Sequence, residues 1–150
     1  MVNSSDRSQP FILFELDRTT YGVPSETVLQ MEMVEQITPV PNVPPFVEGV
    51  VFSRGQVIPA IDLRVRFGFE KIPYNLRTRL IVIHSEHRTV GFIVDTAREF
   101  VNILDGAIQP PPEGISSLSG KYLAGIATLG ERVILILNID ELLTLPELVS

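Results

Sequence analysis

The stretch Gly49-Val-Val-Phe-Ser-Arg-Gly-Gln-Val-Ile-Pro-Ala-Ile-Asp-Leu-Arg-Val-Arg-Phe-Gly68 decides the fold. Two apolar runs flank a short polar turn, which predicts a β-hairpin with Arg54 at its tip, because Gly55 can take a positive φ without steric cost. Pro59 gives no amide hydrogen to a ladder, which predicts an edge strand or a bulge. Asp62 is expected to cap a helical turn that ends at Gly68.

The same pattern recurs in the second half of the chain. A shift of 76 residues places Gly49 on Gly125, and a shift of 69 places Gly22 on Gly91. The second copy therefore carries seven extra residues between these two points. Internal similarity of this length indicates two duplicated small subdomains rather than a solenoid of short repeats. The two copies cover approximately residues 11–68 and 80–143.

Composition places the chain among globular proteins. Its 150 residues suffice for one domain or two small barrels, and 45% of them are apolar. It has no cysteine, which excludes a disulfide framework and thiolate chemistry. There is no apolar run of about 18 residues that would span a membrane, and the start lacks the apolar segment of a signal peptide, so a cytoplasmic location is expected. A net charge of −6 argues against a nucleic-acid partner.

Charge is unevenly distributed along the chain. Residues 15–48 carry a net charge of −5, whereas residues 54–79 carry +4. Two solvated faces explain this pattern, because exposed ion pairs contribute little to stability. A polar rim that orients a protein partner is the functional alternative.

Short strands separated by Gly and Pro turns predict an all-β fold, with β-barrels as the first choice. Residues 25–34 fit either a short helix or an irregular strand, because Val28, Met31 and Val34 recur at helical spacing. Core positions explain this set better than a contact surface does. The remaining expectations are a flexible tail at 1–10, a first strand from Phe11, a mobile loop at 113–121, and a terminal helix at 139–148 capped by Asn138 or Asp140.

Catalytic constellations are weak in this sequence. His84 and His87 form the only histidine cluster, and they lie in a predicted hairpin turn without a second pair of ligands. The sequence contains neither a Walker phosphate loop nor a Gly-x-Ser-x-Gly elbow. Asp62 and Asp95 end predicted strands, where local capping accounts for a carboxylate. We therefore predict no catalytic residue, metal or cofactor.

Several short motifs follow one another in a fixed order, among them Tyr21-Gly-Val-Pro24, Arg54-Gly55, Val57-Ile-Pro-Ala-Ile-Asp-Leu-Arg64 and Tyr122-Leu-Ala-Gly125. This ordered set, over about residues 10–145, resembles the CheW family of bacterial chemotaxis adaptors. The resemblance implies one CheW-like domain over residues 11–150, made of two five-stranded SH3-like barrels packed side by side. It also implies an adaptor that couples methyl-accepting chemoreceptor tips to a CheA-type histidine kinase by protein–protein contacts.

The resemblance also assigns partner contact to particular positions. Ser53 stands where the family has the leucine of a Leu-Arg-Gly turn, and Gln30 stands where many members have a glutamate that pairs with the arginine. Gln30 can still accept a hydrogen bond from Arg54, but without the charge-assisted part. The partner-binding residues implied are Val28, Gln30, Gly49, Arg54, Gly55 and Phe100.

Two other functions remain open at this point. One is a CheW-like scaffold of a non-flagellar chemosensory pathway, such as one that controls pili. The other belongs to a different class, a small ligand-binding barrel or enzyme. A pull-down with a CheA-type kinase would separate both adaptor functions from this last alternative.

Overall fold

The computed structural model describes residues 7–86, 88–114 and 120–144. Within these ranges the chain forms eleven strands, two short α-helices and three 3-10 turns. The strands are β1 (Ser8–Leu16), β2 (Thr19–Pro24), β3 (Val28–Met33), β4 (Val47–Ser53), β5 (Gln56–Asp62), β6 (Arg79–Ser85), β7 (Arg88–Val94), β8 (Thr96–Leu104), β9 (Ile108–Gln109), β10 (Leu123–Leu129) and β11 (Arg132–Leu137). The helices are α1 (Leu63–Arg66) and α2 (Ile139–Leu142), and the 3-10 turns are Ser25–Thr27, Asp105–Ala107 and Gly120–Tyr122.

The strands form two sheets. The six-stranded sheet has the order β8-β1-β2-β11-β10-β9, and the five-stranded sheet has the order β3-β6-β7-β5-β4. The prediction of an all-β fold with two barrels and short helices is confirmed. The six-stranded sheet differs from a five-stranded one by the two-residue strand β9. In the other sheet a single bridge between Thr38 and Val50 takes the place of β9.

The two sheets are built by exchange between the repeated halves. Strands β1 to β5 of the first half correspond to β6, β7, β8, β10 and β11 of the second half. The five-stranded sheet combines β6 and β7 with β3, β4 and β5, while the six-stranded sheet combines β1 and β2 with β8, β10 and β11. Each sheet therefore takes its first hairpin from one half and its remaining strands from the other. Parallel pairs between β5 and β7 and between β2 and β11 join the two contributions.

The buried clusters follow the same repeat. One cluster belongs to the five-stranded sheet and one to the six-stranded sheet, and a larger cluster takes side chains from both sheets. Burial of these apolar side chains is the main favourable term that holds the sheets together. Residues at the same place in the two smaller clusters are 69 or 76 apart, as in Phe11 and Leu80, Leu13 and Val82, and Ile58 and Ile134.

Residues 25–34 form a 3-10 turn followed by β3, so the strand alternative is the right one. Val28 and Val34 are half-buried against the apolar clusters. Met31 is 45% exposed, and the prediction that it belongs to the core is wrong. The reason is that successive side chains of a β-strand face opposite sides, and Met31 lies on the more exposed side of β3.

Pro59 does not mark an edge strand or a bulge, contrary to the prediction. Strand β5 lies between β4 and β7, and the parallel ladder to β7 begins only at Ala60. The missing amide hydrogen of Pro59 therefore interrupts no pair of that ladder. The register shift of this hairpin lies in β4, between Val47 and Gly49.

The predicted helix ends are largely confirmed. Asp62 caps α1 by accepting a hydrogen bond from the Val65 amide at 3.3 Å. Asn138 caps α2 in the same way, accepting from the Glu141 amide at 3.1 Å. Strand β1 begins at Ser8 rather than Phe11. The expected tail at 1–6, much of the mobile loop, at 115–119, and the end of the terminal helix, at 145–148, lie outside the described residues.

Arg64 on α1 connects the two sheets through its guanidinium. Its Nη1 lies 2.6 Å from Asp95 Oδ2, its Nη2 lies 3.5 Å from Asp17 Oδ1, and its Nε donates to the Glu70 carbonyl at 2.8 Å. Asp17 lies in the turn of the β1–β2 hairpin, and its amide also donates to Asp95. The side chain of Arg64 is only 10% exposed, so this part of the basic segment is a buried junction and not a solvated face.

Asp62 is buried, and its two carboxylate oxygens accept from the Val65 amide and the Tyr74 hydroxyl. Burial raises the pKa of Asp62, and its hydrogen bonds oppose this shift only in part. The raised pKa means that the folded state favours the protonated carboxyl more than the unfolded chain does. The stability due to this group is therefore complete below the unfolded pKa and is lost as pH rises through the folded value.

We expect Asp62→Asn to make the protein more stable at neutral pH. Asparagine is as good a helix cap as aspartate, and it removes the buried charge. Urea unfolding at a series of pH values should show the gain shrinking as pH falls towards the unfolded pKa of aspartate. If the stability gained by Asp62→Asn is constant with pH, or if the variant is less stable than the parent at pH 7, burial does not raise the pKa of Asp62. Asn138, at the equivalent cap, shows that the fold accepts asparagine in this position.

Candidate partner-binding surface

Arg54 lies at the tip of the β4–β5 hairpin, as predicted. Ser53 pairs with Gln56, and the two turn residues between them, Arg54 and Gly55, have φ values of 52° and 82°. Positive φ at both positions gives the twist that suits a two-residue hairpin turn. The side chain of Arg54 is exposed, and its Nη1 donates to the Leu29 carbonyl at 2.9 Å. The turn therefore leans over the edge strand β3.

Val28 and Gln30 lie on β3, on either side of a register shift at Leu29. The expected hydrogen bond between Gln30 and Arg54 is not formed. Gln30 instead donates from Nε2 to Glu32 on its own strand, and Arg54 uses the Leu29 carbonyl. The bulge changes the direction of the backbone at Leu29, which brings its carbonyl, and not the Gln30 side chain, to the guanidinium.

The outer face of β3 is apolar, and the sequence alone did not lead us to expect this. Leu29, Met31 and Met33 are 42%, 45% and 46% exposed, whereas Gln30 and Glu32 between them are half-buried. An exposed apolar row on an edge strand marks a binding surface more often than an ordinary protein face. The sequence feature that indicates this surface is the alternation of Leu29, Met31 and Met33 with polar residues. This alternation points to one apolar face only if the segment is interpreted as a β-strand.

Gly49 and Gly55 require glycine for different structural reasons. Gly49 is buried with φ of 147°, and a Cβ placed on it would lie 2.1 Å from the Thr38 carbonyl oxygen. The backbone conformation and the close packing together explain this glycine. Gly55 is exposed with φ of 82°, and a Cβ there would meet nothing within 4 Å. Of these two glycines, only Gly55 is therefore accessible to a partner, and it lies beside Arg54.

Phe100 lies on β8, an edge strand of the six-stranded sheet, and is 64% exposed. It is placed 69 residues after Met31, which holds the equivalent position on the edge strand β3. The predicted contact residues are thus divided between the two sheets. Val28, Gln30, Gly49, Arg54 and Gly55 belong to the five-stranded sheet, and Phe100 belongs to the other.

His84 and His87 give no support to a metal site. The Nδ1 atom of His84 lies 2.8 Å from the Thr89 hydroxyl, and His87 lies outside the described residues. In the ranges that the structure describes, there is no group of three or more His, Cys, Asp or Glu side chains that could hold a metal ion. The α-helices in those same ranges have four residues each, far fewer than a membrane span requires.

Comparison with known proteins agrees with this architecture. The profile of the family described as CheW-like domain matches residues 10–147. The crystal structure of the scaffolding protein TtCheW from Thermoanaerobacter tengcongensis superposes with a TM-score of 0.82 at 30% sequence identity, covering 88% of this chain and 90% of that one.

Curated relatives match over most of their length. The chemotaxis protein CheW of Klebsiella aerogenes is 34% identical over 93% of this chain and 84% of its own. The chemotaxis protein CheW of Helicobacter pylori is 32% identical over 89% of this chain and 80% of its own length. Protein FrzA of Myxococcus xanthus is 33% identical over 90% of this chain and 85% of its own length. With a family profile that spans nearly the whole chain and relatives above 30% identity, this chain belongs to the CheW-like family.

Proposed function

We propose that this protein is a cytoplasmic adaptor of a chemotaxis-type pathway, which couples methyl-accepting chemoreceptors to a CheA-type histidine kinase. Its family membership supports this role, since its relatives are named chemotaxis protein CheW. The observation that carries the proposal to this chain is the apolar outer face of β3 beside Arg54. Exposed apolar side chains next to a cationic guanidinium suit a protein partner.

The role we propose is binding and not catalysis. An adaptor needs two partner surfaces on a rigid scaffold, and the exposed edge strands β3 and β8 lie on different sheets. Met31 on β3 and Phe100 on β8 are exposed at equivalent positions of the repeat. The kinase and the receptor would then bind to separate parts of the two-sheet scaffold, without a metal or cofactor.

We expect Arg54→Ala to weaken receptor-stimulated kinase activity while leaving the fold intact. Arginines at the centre of interfaces often contribute about 2 kcal/mol or more, which corresponds to a roughly thirtyfold loss of affinity. The exposed hydrogen bond to Leu29 should contribute no more than about 1 kcal/mol to stability. The measurement is kinase autophosphorylation with receptor-containing membranes, beside a thermal melt of each variant.

Arg77→Ala provides the matched control, because Arg77 is also an exposed arginine but lies in the connector between α1 and β6. It should keep both stability and kinase stimulation. If Arg54→Ala melts normally and stimulates the kinase like the parent, Arg54 is turn surface only. If the parent chain itself binds neither receptor nor kinase, the proposed adaptor function fails.

A further inference from the structure

The connector between the two repeated halves, residues 67–78, is fastened to the first half. The Tyr74 hydroxyl donates to Asp62 Oδ2 at 3.1 Å, and the Tyr74 ring packs against the apolar cluster of the five-stranded sheet. The Lys71 ammonium forms an ion pair with Glu48 and lies 5.5 Å from the centre of the Tyr74 ring. We call these four residues, Glu48, Asp62, Lys71 and Tyr74, the connector latch.

The two carboxylates of the latch are specific to the first half of the repeat. Glu48 is the extra residue of the bulge in β4, and a bulge re-aims the side chain that it carries. The same bulge in β10 carries Ala124, and the residue equivalent to the Asp62 cap is Asn138. Both halves share the bulge and the cap, so neither feature explains a carboxylate. Contact with the connector explains both.

Opening the latch would cost free energy, because it separates buried polar groups from their partners. Burial, together with the neighbouring carboxylates of Asp62 and Glu48, raises the pKa of Tyr74, so its hydroxyl remains a hydrogen-bond donor. Asp62 is buried, and a buried acceptor that loses its donor is destabilised. The closed position of the connector is therefore favoured in the parent chain.

The sheets themselves do not require that both halves belong to one chain. Each sheet pairs strands from the first half with strands from the second, and the connector is the segment that joins the halves. Two copies of the chain that exchanged halves would form the same sheets and keep every strand pair. Exchange of this kind is a low-cost route to a dimer, and it depends on the segment that links the exchanged parts.

The latch limits how far the connector can reach. While the latch is closed, residues 75–78 alone separate Tyr74 from β6, and an extended segment of this length spans about 14 Å. Once the latch is open, residues 70–78 can extend over about 30 Å. A connector that leaves its own barrels for a second molecule needs the longer span, since a small domain is about 30 Å across.

We propose that the connector latch keeps the exchange of hairpins within one chain, and that its release lets two copies of this chain assemble as a dimer with exchanged halves. In that dimer the first half of each copy forms its two sheets with the second half of the other copy. The connector runs between the two units, and the contacts of Lys71 and Tyr74 with the first half are lost. This inference does not depend on the proposed adaptor function.

The test uses cysteines, which the parent chain lacks. Ser8 on β1 and Leu104 on β8 face each other across the two halves, and both are exposed. Directly opposite residues have Cβ atoms about 5 Å apart, close to what a disulfide requires. A Ser8→Cys chain and a Leu104→Cys chain are unfolded in urea, refolded together and oxidised. A disulfide between the two chains then reports halves exchanged between copies.

Both chains are prepared with the native latch and with Tyr74→Phe and Lys71→Met. Refolding at about 1 mM protein lets a second copy compete with closure inside one chain, whose effective concentration is in the millimolar range. The open-latch chains should give at least ten times more of the mixed disulfide, and a matching dimer peak on size-exclusion chromatography. Chains mixed without unfolding should give little disulfide.

The matched control carries Tyr122→Phe and Arg77→Met. These changes remove one buried tyrosine hydroxyl and one exposed cation of the connector, but they leave the latch intact. This control should behave like the parent. A Thr128→Cys chain mixed with the Ser8→Cys chain measures chance collisions, because Thr128 is exposed and does not pair with Ser8.

Three results would overturn the proposal. The first is that open-latch chains form no more mixed disulfide than the collision control. The second is that the native latch exchanges as readily as the open one, and the third is that the matched control raises exchange equally. If the double latch variant does not refold, Tyr74→Phe alone tests the same point, because it keeps the ring in the apolar cluster.

Discussion

Replacing Arg64 with methionine should lower the free energy of unfolding by about 3 kcal/mol, because it leaves the mostly buried carboxylate of Asp95 without its counter-charge. Arg64 is 10% exposed, and it contacts Asp95 at 2.6 Å and Asp17 at 3.5 Å. It also satisfies the Glu70 carbonyl. Asp17 lies in the hairpin of one sheet, and Arg64 follows a strand of the other. Removing the Arg64 side chain should therefore also weaken the packing between the two sheets.

The measurement is urea unfolding of the parent and the variant at pH 7. The matched control is Arg132→Met, since Arg132 pairs with Glu99 at 2.9 Å but is 41% exposed. An exposed pair of this kind should contribute less than about 1 kcal/mol. Asp95→Asn in the Arg64→Met background should recover part of the loss by removing the unpaired charge. Equal effects of Arg64→Met and Arg132→Met would show that the junction does not stabilise the fold.

Much of the fold could be predicted from local patterns. The β4–β5 hairpin, its Arg54 tip and the cap at Asp62 depend on residues close in sequence, and all three are confirmed. The repeat was visible because each half keeps its apolar positions for the same packing. The exchange of hairpins between the two halves could not be predicted from the repeat. The repeated sequence pattern is identical whether a hairpin pairs with strands of its own half or with strands of the other half.

The binding surface was harder to predict, for a physical reason. A surface strand usually turns polar residues outward, but β3 exposes Leu29, Met31 and Met33 and half-buries the polar residues between them. The usual relation between apolar character and burial therefore pointed to core positions for these residues.

Gly49→Ala should destabilise the protein by at least about 2 kcal/mol, because the position combines a disallowed backbone angle with a steric clash. The φ angle is 147°, and the new Cβ would lie 2.1 Å from the Thr38 carbonyl oxygen. That carbonyl accepts from the Val50 amide at 2.9 Å in the bridge next to Gly49, so it cannot move away without losing the bond. Thermal and urea unfolding measure the effect.

Two other glycines separate the causes of that loss. Gly55→Ala places a Cβ at φ of 82° in open space, so it should show the backbone cost alone, about 1 kcal/mol. Gly125 is the repeat equivalent of Gly49. A Cβ placed on it would lie 2.8 Å from the Ile108 side chain and 3.0 Å from the Gln109 carbonyl oxygen. Gly125→Ala should therefore show the effect of crowding without a positive φ. Gly49→Ala should exceed both. If it instead unfolds like the parent but fails to bind receptor or kinase, Gly49 is a contact residue, and packing is not the reason for a glycine at this position.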